Sequence, residues 1–133
     1  MIVLDASAML ELLLRTPGAA AIAARVFGRG EGTHVPALLD VEVAQVLRRY
    51  VSRGDVAPAR AKAALDLLIA FPMERHGHEP LLRRVWALRE NLTAYDAVYV
   101  ALAEALRAPL VTCDARLARA PGIRAVVELF DQR

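Results

Sequence analysis

Four acidic residues stand among neighbours that are apolar: Asp5, Glu42, Asp96 and Asp114. Asp5 ends the run Ile2-Val3-Leu4, and Asp114 ends Leu110-Val111-Thr112-Cys113. Asp96 interrupts the stretch from Thr93 to Glu104, lying one helical turn after Leu92 and one before Val100 on a face whose other members are apolar. Glu42 shares a helix face with Leu39, Val46 and Arg49 or Tyr50. A carboxylate in such surroundings must be paired, hydrogen-bonded or bound to a cation.

Each acid has a purely structural role open to it. Asp5 and Asp114 can cap the helices that follow them, and Thr93 with Asp96 fits a capping box. A cap contributes about 1 kcal/mol, whereas two carboxylates about 4 Å apart repel by roughly 1 to 4 kcal/mol. If all four acids meet, capping does not offset several such repulsions, and a divalent cation does. With no Cys or His among them, an all-oxygen set suits Mg²⁺ or Mn²⁺ rather than zinc. Such a site polarises a phosphoryl oxygen, activates a water and stabilises the leaving oxygen of an in-line displacement. Ser7 and Thr112, close in sequence to Asp5 and Asp114, are placed to hydrogen-bond a ligand carboxylate or a bound water.

The elements that must position these residues follow from periodicity. Ile2 to Leu4 and Leu110 to Cys113 read as interior strands. Thr33 to Val35 is a minimal strand, Met73 to Arg75 a short edge strand, and Ala125 to Leu129 a last strand. Helices are expected from Ala6 to Leu14, from the Thr16-Pro17 start to Phe27, from about Leu38 to Val51, and from Pro58 to Phe71, where Pro72 stops the helix. The Pro58 helix is built on Ala61, Ala64, Leu65, Leu68 and Ile69. A further helix runs from Glu79-Pro80 to about Asn91 with Leu81, Leu82, Val85, Trp86 and Leu88 inward, and the Asp96 helix ends near Arg107. A short helix carries Arg116 and Leu117. Strands alternating with helices predict a single α/β domain over residues 1–133, a three-layer α/β/α arrangement with a short, mostly parallel sheet. Its ligand site lies beyond the carboxyl ends of the strands, where strand order reverses. The strands ending in Asp5 and Asp114 are the natural central pair.

Composition bounds the partners. The 133 residues are 56% hydrophobic, which excludes a disordered chain and provides for a substantial core. Lys62 is the only lysine, and a net charge of +2 is weak support for nucleic-acid binding by itself. The single cysteine, Cys113, excludes an internal disulfide and reads as a small buried hydrophobe. No apolar run reaches the length of a membrane span and no basic leader opens the chain, so a cytoplasmic protein is expected.

The sequence resembles the PIN-domain family, and within it the toxins of VapBC toxin-antitoxin pairs. The likeness rests on the opening Ile2-Val3-Leu4-Asp5-Ala6-Ser7, on Pro36 to Leu47 with Glu42, on Leu92-Thr93-Ala94-Tyr95-Asp96-Ala97, and on Leu110-Val111-Thr112-Cys113-Asp114-Ala115-Arg116-Leu117. It covers the whole chain in order. The resemblance implies a metal-dependent endoribonuclease whose acids are Asp5, Glu42, Asp96 and Asp114, with Thr112 or Ser7 as the neighbouring polar group. It also implies Mg²⁺ or Mn²⁺ as cofactor, an RNA substrate, a homodimer, and a small VapB-like antitoxin that covers the site. Some relatives carry a further acid shortly after the fourth; here Leu117 and Ala118 occupy that region, so the number of ions stays open.

Arg48, Arg49, Arg89, Arg116 and Arg119 are candidates for phosphate contact, Arg116 foremost. A receiver-like phosphoacceptor also places acids at strand ends, but it needs a lysine near the late strands, and Lys62 falls in a middle helix. A non-catalytic PIN-fold interaction module is the other alternative. His76-Gly77-His78 reads as a solvated loop rather than a ligand pair, His34 as packing at a strand, and Asp40 as surface. Tyr95 and Tyr99 are expected in the core or at a dimer contact, and Trp86 in the core.

Overall fold

A computed structural model describes residues 1–131. Five short strands form one parallel sheet: β1 (Ile2–Leu4), β2 (Thr33–Pro36), β3 (Glu74–His76), β4 (Leu110–Thr112) and β5 (Val127–Leu129), in the order β3-β2-β1-β4-β5. The helices are α1 (Ala6–Leu14), α2 (Ala19–Phe27), α3 (Leu38–Ser52), α4 (Pro58–Ala70), α5 (Leu82–Ala87), α6 (Ala94–Leu106) and α7 (Ala115–Ala118), with one 3₁₀ turn at Glu79–Leu81 before α5. The sheet grows from β1 toward β2 and β3 on one side and toward β4 and β5 on the other, so strand order reverses between β1 and β4. This is the expected three-layer α/β/α architecture, and β1 with β4 is the expected central pair.

Both central strands are buried along their length, which is why they read as unbroken apolar runs rather than alternating ones. Helix α6 lies on β1, β2 and β4 with α5 packed beside it, and α1 is flanked by α2, α3 and α4. The segment from Ala97 to Ala103 is buried without interruption, as its continuous apolar character requires.

Four local expectations are corrected by the packing. Helix α2 begins at Ala19, not at Thr16-Pro17, because Thr16 is engaged in closing α1. Arg15 takes a left-handed conformation, and the Thr16 amide donates to the Glu11 carbonyl, the closure that ends a helix rather than starts one. Helix α5 stops at Ala87 instead of near Asn91. Thr93, the N-cap of α6, needs an extended backbone, so Leu88 to Leu92 turn through tight bends before it.

The third correction concerns faces. The short α5 and the residues that flank it offer the core Val85, Leu81 and Leu88, and this turns Leu82 and Trp86 outward. Trp86 is 68% exposed and carries the Arg89 guanidinium 4.8 Å from its ring centroid, while Tyr95 is exposed and Tyr99 buried. On α4 only Ala61, Ala64 and Leu68 are buried, and Leu65 and Ile69 face outward. Finally, β3 is shifted one residue later than expected, and β5 begins at Val127 rather than Ala125.

The opposite fates of two large apolar side chains give a direct check. Leu102→Ala in α6 is expected to cost about 2–5 kcal/mol through a cavity in a filled core. Trp86→Ala is expected to cost about 1 kcal/mol or less, since little more than an exposed cation–π contact is lost. Urea unfolding of both variants tests this; a Trp86 loss equal to the Leu102 loss would contradict the packing described.

Candidate active site

The crevice is organised by Asp5, which is only 5% exposed at the carboxyl end of β1. One oxygen accepts from the Ala8 amide at 3.0 Å and from the Ser7 hydroxyl at 2.7 Å, and the other accepts from the Thr112 hydroxyl at 2.5 Å. Asp5 therefore does cap α1, as its structural role would have it, and it is tied across the sheet to β4 as well. Ser7 and Thr112 have each donated their only hydroxyl proton to this carboxylate. Their lone pairs then accept the Cys113 amide at 2.9 Å and the Asp114 amide at 3.0 Å. Cys113 is half-buried and packs against the core.

Asp114 follows β4 and divides its two oxygens. Oδ1 accepts the Arg116 and Leu117 amides at 2.9 and 3.3 Å, capping α7. Oδ2 lies 3.6 Å from the Arg116 guanidinium. At the start of α6 the Thr93 hydroxyl accepts the Asp96 amide at 3.2 Å, and the Asp96 carboxylate reaches the same guanidinium at 3.4 Å. Arg116 thus straddles two acids with a side chain that is 80% exposed. Glu42, half-buried on α3, accepts from the Tyr99 hydroxyl at 2.5 Å.

Charge coupling links all four acids. Burial raises the Asp5 carboxyl above its ordinary range; the Thr112, Ser7 and Ala8 hydrogen bonds act against the rise, and Asp114 adds to it. Burial also raises Glu42, opposed by Tyr99 and reinforced by Asp96 and Asp5. Asp96 is raised by burial, lowered by Arg116 and raised again by Asp114. The Tyr99 hydroxyl is pushed far up by its burial and by Glu42, so it stays a proton donor. The structure brings Asp5, Glu42, Asp96 and Asp114 near one another at one end of the sheet.

These acids surround a space rather than close on it. Among the described residues, no three of them bring carboxylate oxygens within 4.8 Å of one another. All-oxygen donors set too far apart for three to touch one small ion, with Arg116 the guanidinium that relieves Asp96, suit a hard cation such as Mg²⁺ that retains part of its water shell. The adjoining cleft is lined by Ser7, Asp96, Asp114 and Arg116, with Arg89 and Arg119 also on its walls. Arg48 and Arg49, on α3, are not part of that lining. Asp40 pairs with Arg75 at the surface, away from the crevice.

Sequence reasoning missed the contact of Tyr99 with Glu42. Its signal was available in principle, because Tyr99 lies three residues after Asp96 and so on the same side of α6. The reading of His76-Gly77-His78 as a solvated loop is corrected: His76 ends β3, both rings are half-buried, and the His78 Nε2 accepts the Leu38 amide at 3.0 Å at the start of α3. His34 does more than pack, since its Nδ1 lies 2.9 Å from the His76 Nε2.

Comparison with known proteins adds three findings. Residues 2–123 match the family model described as PIN domain. Ribonuclease VapC12 of Mycobacterium tuberculosis is 44% identical over 129 residues, 97% of this chain and 98% of that protein. Ribonuclease VapC1 of the same organism is 44% identical over 128 residues, 96% of each. In fold, the chain is similar to VapBC2 from Rickettsia felis, crystallised with a promoter DNA fragment, at a TM-score of 0.72 and 15% identity, covering 98% of this chain and 100% of that one. It is also similar to a toxin-antitoxin complex from Klebsiella pneumoniae at a TM-score of 0.69 and 19% identity, covering 99% and 100%.

Two stability measurements check the geometry without any assay of activity. Thr112→Val removes a donor from a buried carboxylate and is expected to cost about 1.5–3 kcal/mol. The raised carboxyls of Asp5, Glu42 and Asp96 hold protons longer in the folded than in the unfolded chain. The stability they contribute is present below the ordinary values of 3.8 and 4.5 and is lost as pH rises through the raised ones. In EDTA, Asp96→Asn should therefore be more stable than the parent, by a margin that widens as pH rises from about 4 to 7. A margin independent of pH would show that burial and the neighbouring acids do not raise the Asp96 carboxyl.

Proposed function

The chain belongs to the PIN-domain family, and from that membership we propose that it is a metal-dependent endoribonuclease, the toxin of a toxin-antitoxin pair. The observation that carries this reading is the set of four mutually repelling acids at the switch point of a parallel sheet. The 44% identity to proteins named ribonucleases over nearly the full length of both chains supports the activity. Asp5, Asp96, Asp114 and Glu42 would hold Mg²⁺ or Mn²⁺. When bound, the ion supplies Lewis-acid polarisation of the phosphoryl group and charge neutralisation for the leaving oxygen.

The protein's own side chains do the rest. Ser7 and Thr112 hold Asp5 in one orientation and keep it from turning toward the core, so they are positioning residues. Glu42, with its carboxyl raised and one oxygen fixed by Tyr99, is the group suited to take a proton from an attacking water. Hydrolysis breaks one P–O bond and leaves a phosphate monoester and a hydroxyl. Arg116, exposed and bridging two acids, is free to swing to an RNA phosphate once a cation neutralises those acids. Arg89 and Arg119 extend the basic wall of the same cleft.

An antitoxin partner is proposed on the same footing, because solved relatives of this fold are toxin-antitoxin complexes. The exposed apolar groove formed by Leu12, Leu13, Ala23, Phe27, Leu67 and Phe71 gives such a partner a surface to cover. A homodimer and a cytoplasmic location complete the proposal; no helix among the described residues is long and apolar enough to cross a membrane.

Cleavage of RNA by the isolated protein with Mg²⁺, Mn²⁺ or EDTA tests the reading. Activity is expected to require the ion and to fall about a hundredfold or more in Asp96→Asn. A folded protein that binds Mn²⁺ yet cuts no RNA would instead favour the non-catalytic interaction module. Arg116→Ala is expected to weaken RNA binding and to reduce the slope of log affinity against log salt by roughly 0.7, one single-strand phosphate contact. An unchanged slope would remove Arg116 from the RNA surface.

A further inference from the structure

His34, Glu74 and His76 form a second polar cluster, on the two strands at one side of the sheet. Parallel register sets His34 of β2 beside Glu74 of β3, and alternation along β3 puts His76 on the same face. Their ligand atoms lie within 4.8 Å of one another, and among the described residues no other trio of His, Cys, Asp or Glu does so. The His34 Nδ1 is 2.9 Å from the His76 Nε2 and 3.5 Å from a Glu74 carboxylate oxygen. Two nitrogens held tetrahedrally at about 2.0–2.1 Å from Zn²⁺ stand about 3.3 Å apart. Both separations from the His34 Nδ1 are within a few tenths of an ångström of that spacing.

The geometry points to a second metal site, in which His34 Nδ1, His76 Nε2 and a Glu74 oxygen bind a divalent transition-metal ion such as Zn²⁺. The donor set decides the class of ion. Two imidazoles and one carboxylate select zinc and its neighbours, whereas the all-oxygen crevice selects Mg²⁺ or Mn²⁺. Without an ion, the two facing ring nitrogens share one proton between them. Binding shifts that proton, by exchange with solvent and without net release, to the other nitrogen of the ring that carried it, and gives both facing lone pairs to the metal. The His34 side chain is 12% exposed, which keeps its nitrogen dry, and the 67% exposed Glu74 leaves a route of entry. The trio supplies three ligands, so a fourth position stays open for water or a partner's side chain.

The place of the cluster gives the ion a structural consequence. It would clip the edge strand β3 to β2. The His76 carbonyl accepts the Ala37 amide at 2.8 Å, and His78, two residues on, caps the Leu38 amide. These contacts fix the start of α3, the helix that carries Glu42. No hydrogen bond or ion pair joins the trio to the four acids, so the inference stands apart from the proposed ribonuclease activity.

Calorimetric titration of the full chain with Zn²⁺, in Mg²⁺ excess to occupy the acid crevice, tests this. One Zn²⁺ equivalent is expected in the parent and in Asp96→Asn. It is expected to vanish in His76→Ala and to weaken by about tenfold or more in Glu74→Gln. Co²⁺ in place of Zn²⁺ should give the visible bands of a four-coordinate ion in the parent and lose them in His76→Ala. If His76→Ala does not fold, Glu74→Gln decides, because its side chain is mostly exposed. Absence of Zn²⁺ binding in the parent, loss of it in Asp96→Asn, or unchanged binding in both cluster variants would each overturn the site.

Discussion

The buried carboxylate of Asp5 is the interaction on which the crevice depends. A charge removed from water costs several kcal/mol unless it is hydrogen-bonded on most sides, and here three donors from a strand and a helix start meet it. The same bonds determine where the next acid lies. Thr112, having donated its proton to Asp5, can only accept from the Asp114 amide, so the backbone that carries Asp114 is held by a carboxylate at the end of the neighbouring strand. The ladder bond from the Asp5 amide to the Val111 carbonyl locks the register beneath. Reversal of strand order between β1 and β4 leaves no crossing connection over this point, and so the crevice stays open.

What the crevice inherits from the sheet is position, and what it inherits from the helices is charge coupling. Helix α6 packs on β1, β2 and β4, so Asp96 in its first turn is delivered above the central strands. Its buried Tyr99 then reaches α3 and holds Glu42. Two helices that are distant in sequence are joined by one hydroxyl at the site. A Tyr side chain suits this position because its ring packs in the core while its polar end meets the acid.

The central strands and the places of Asp5 and Asp114 were legible in the sequence for one reason. An interior strand admits no polar residue along its length unless a partner meets it, so a carboxylate at the end of Ile2-Val3-Leu4 or Leu110-Val111-Thr112-Cys113 marks both the strand's end and the sheet's edge. Where burial was partial, legibility failed. Leu82 and Trp86 have core-type side chains on a helix of six residues, and nothing in their spacing told which side the core lay on. Thr16-Pro17 carries a strong helix-start signal that lost to the closure of α1, an effect set by the left-handed Arg15. His34 and His76, separated by 42 positions, met only because β2 and β3 pair in parallel register. Local spacing contains no trace of such a meeting.

The distribution of arginine sets the crevice apart from the rest of the surface. Glu128 and Glu31 are clamped by Arg25, Glu104 by Arg84, and Asp40 by Arg75, each at 2.6 or 2.7 Å. Those pairs hold Glu31 and Glu104 below their ordinary range, and being partly exposed they add little to stability. In the crevice the pattern inverts. Asp5 and Glu42 receive hydroxyls instead of guanidinium groups, and both are raised. A hydroxyl orients a carboxylate without cancelling its charge, whereas a guanidinium cancels it and fills its lone pairs. Arg116, the arginine that contacts the acids, stands off at 3.4 and 3.6 Å with its side chain in solvent, close enough to relieve two of them. Neutral donors inside and an exposed arginine at the mouth leave the carboxylates oriented but only partly neutralised.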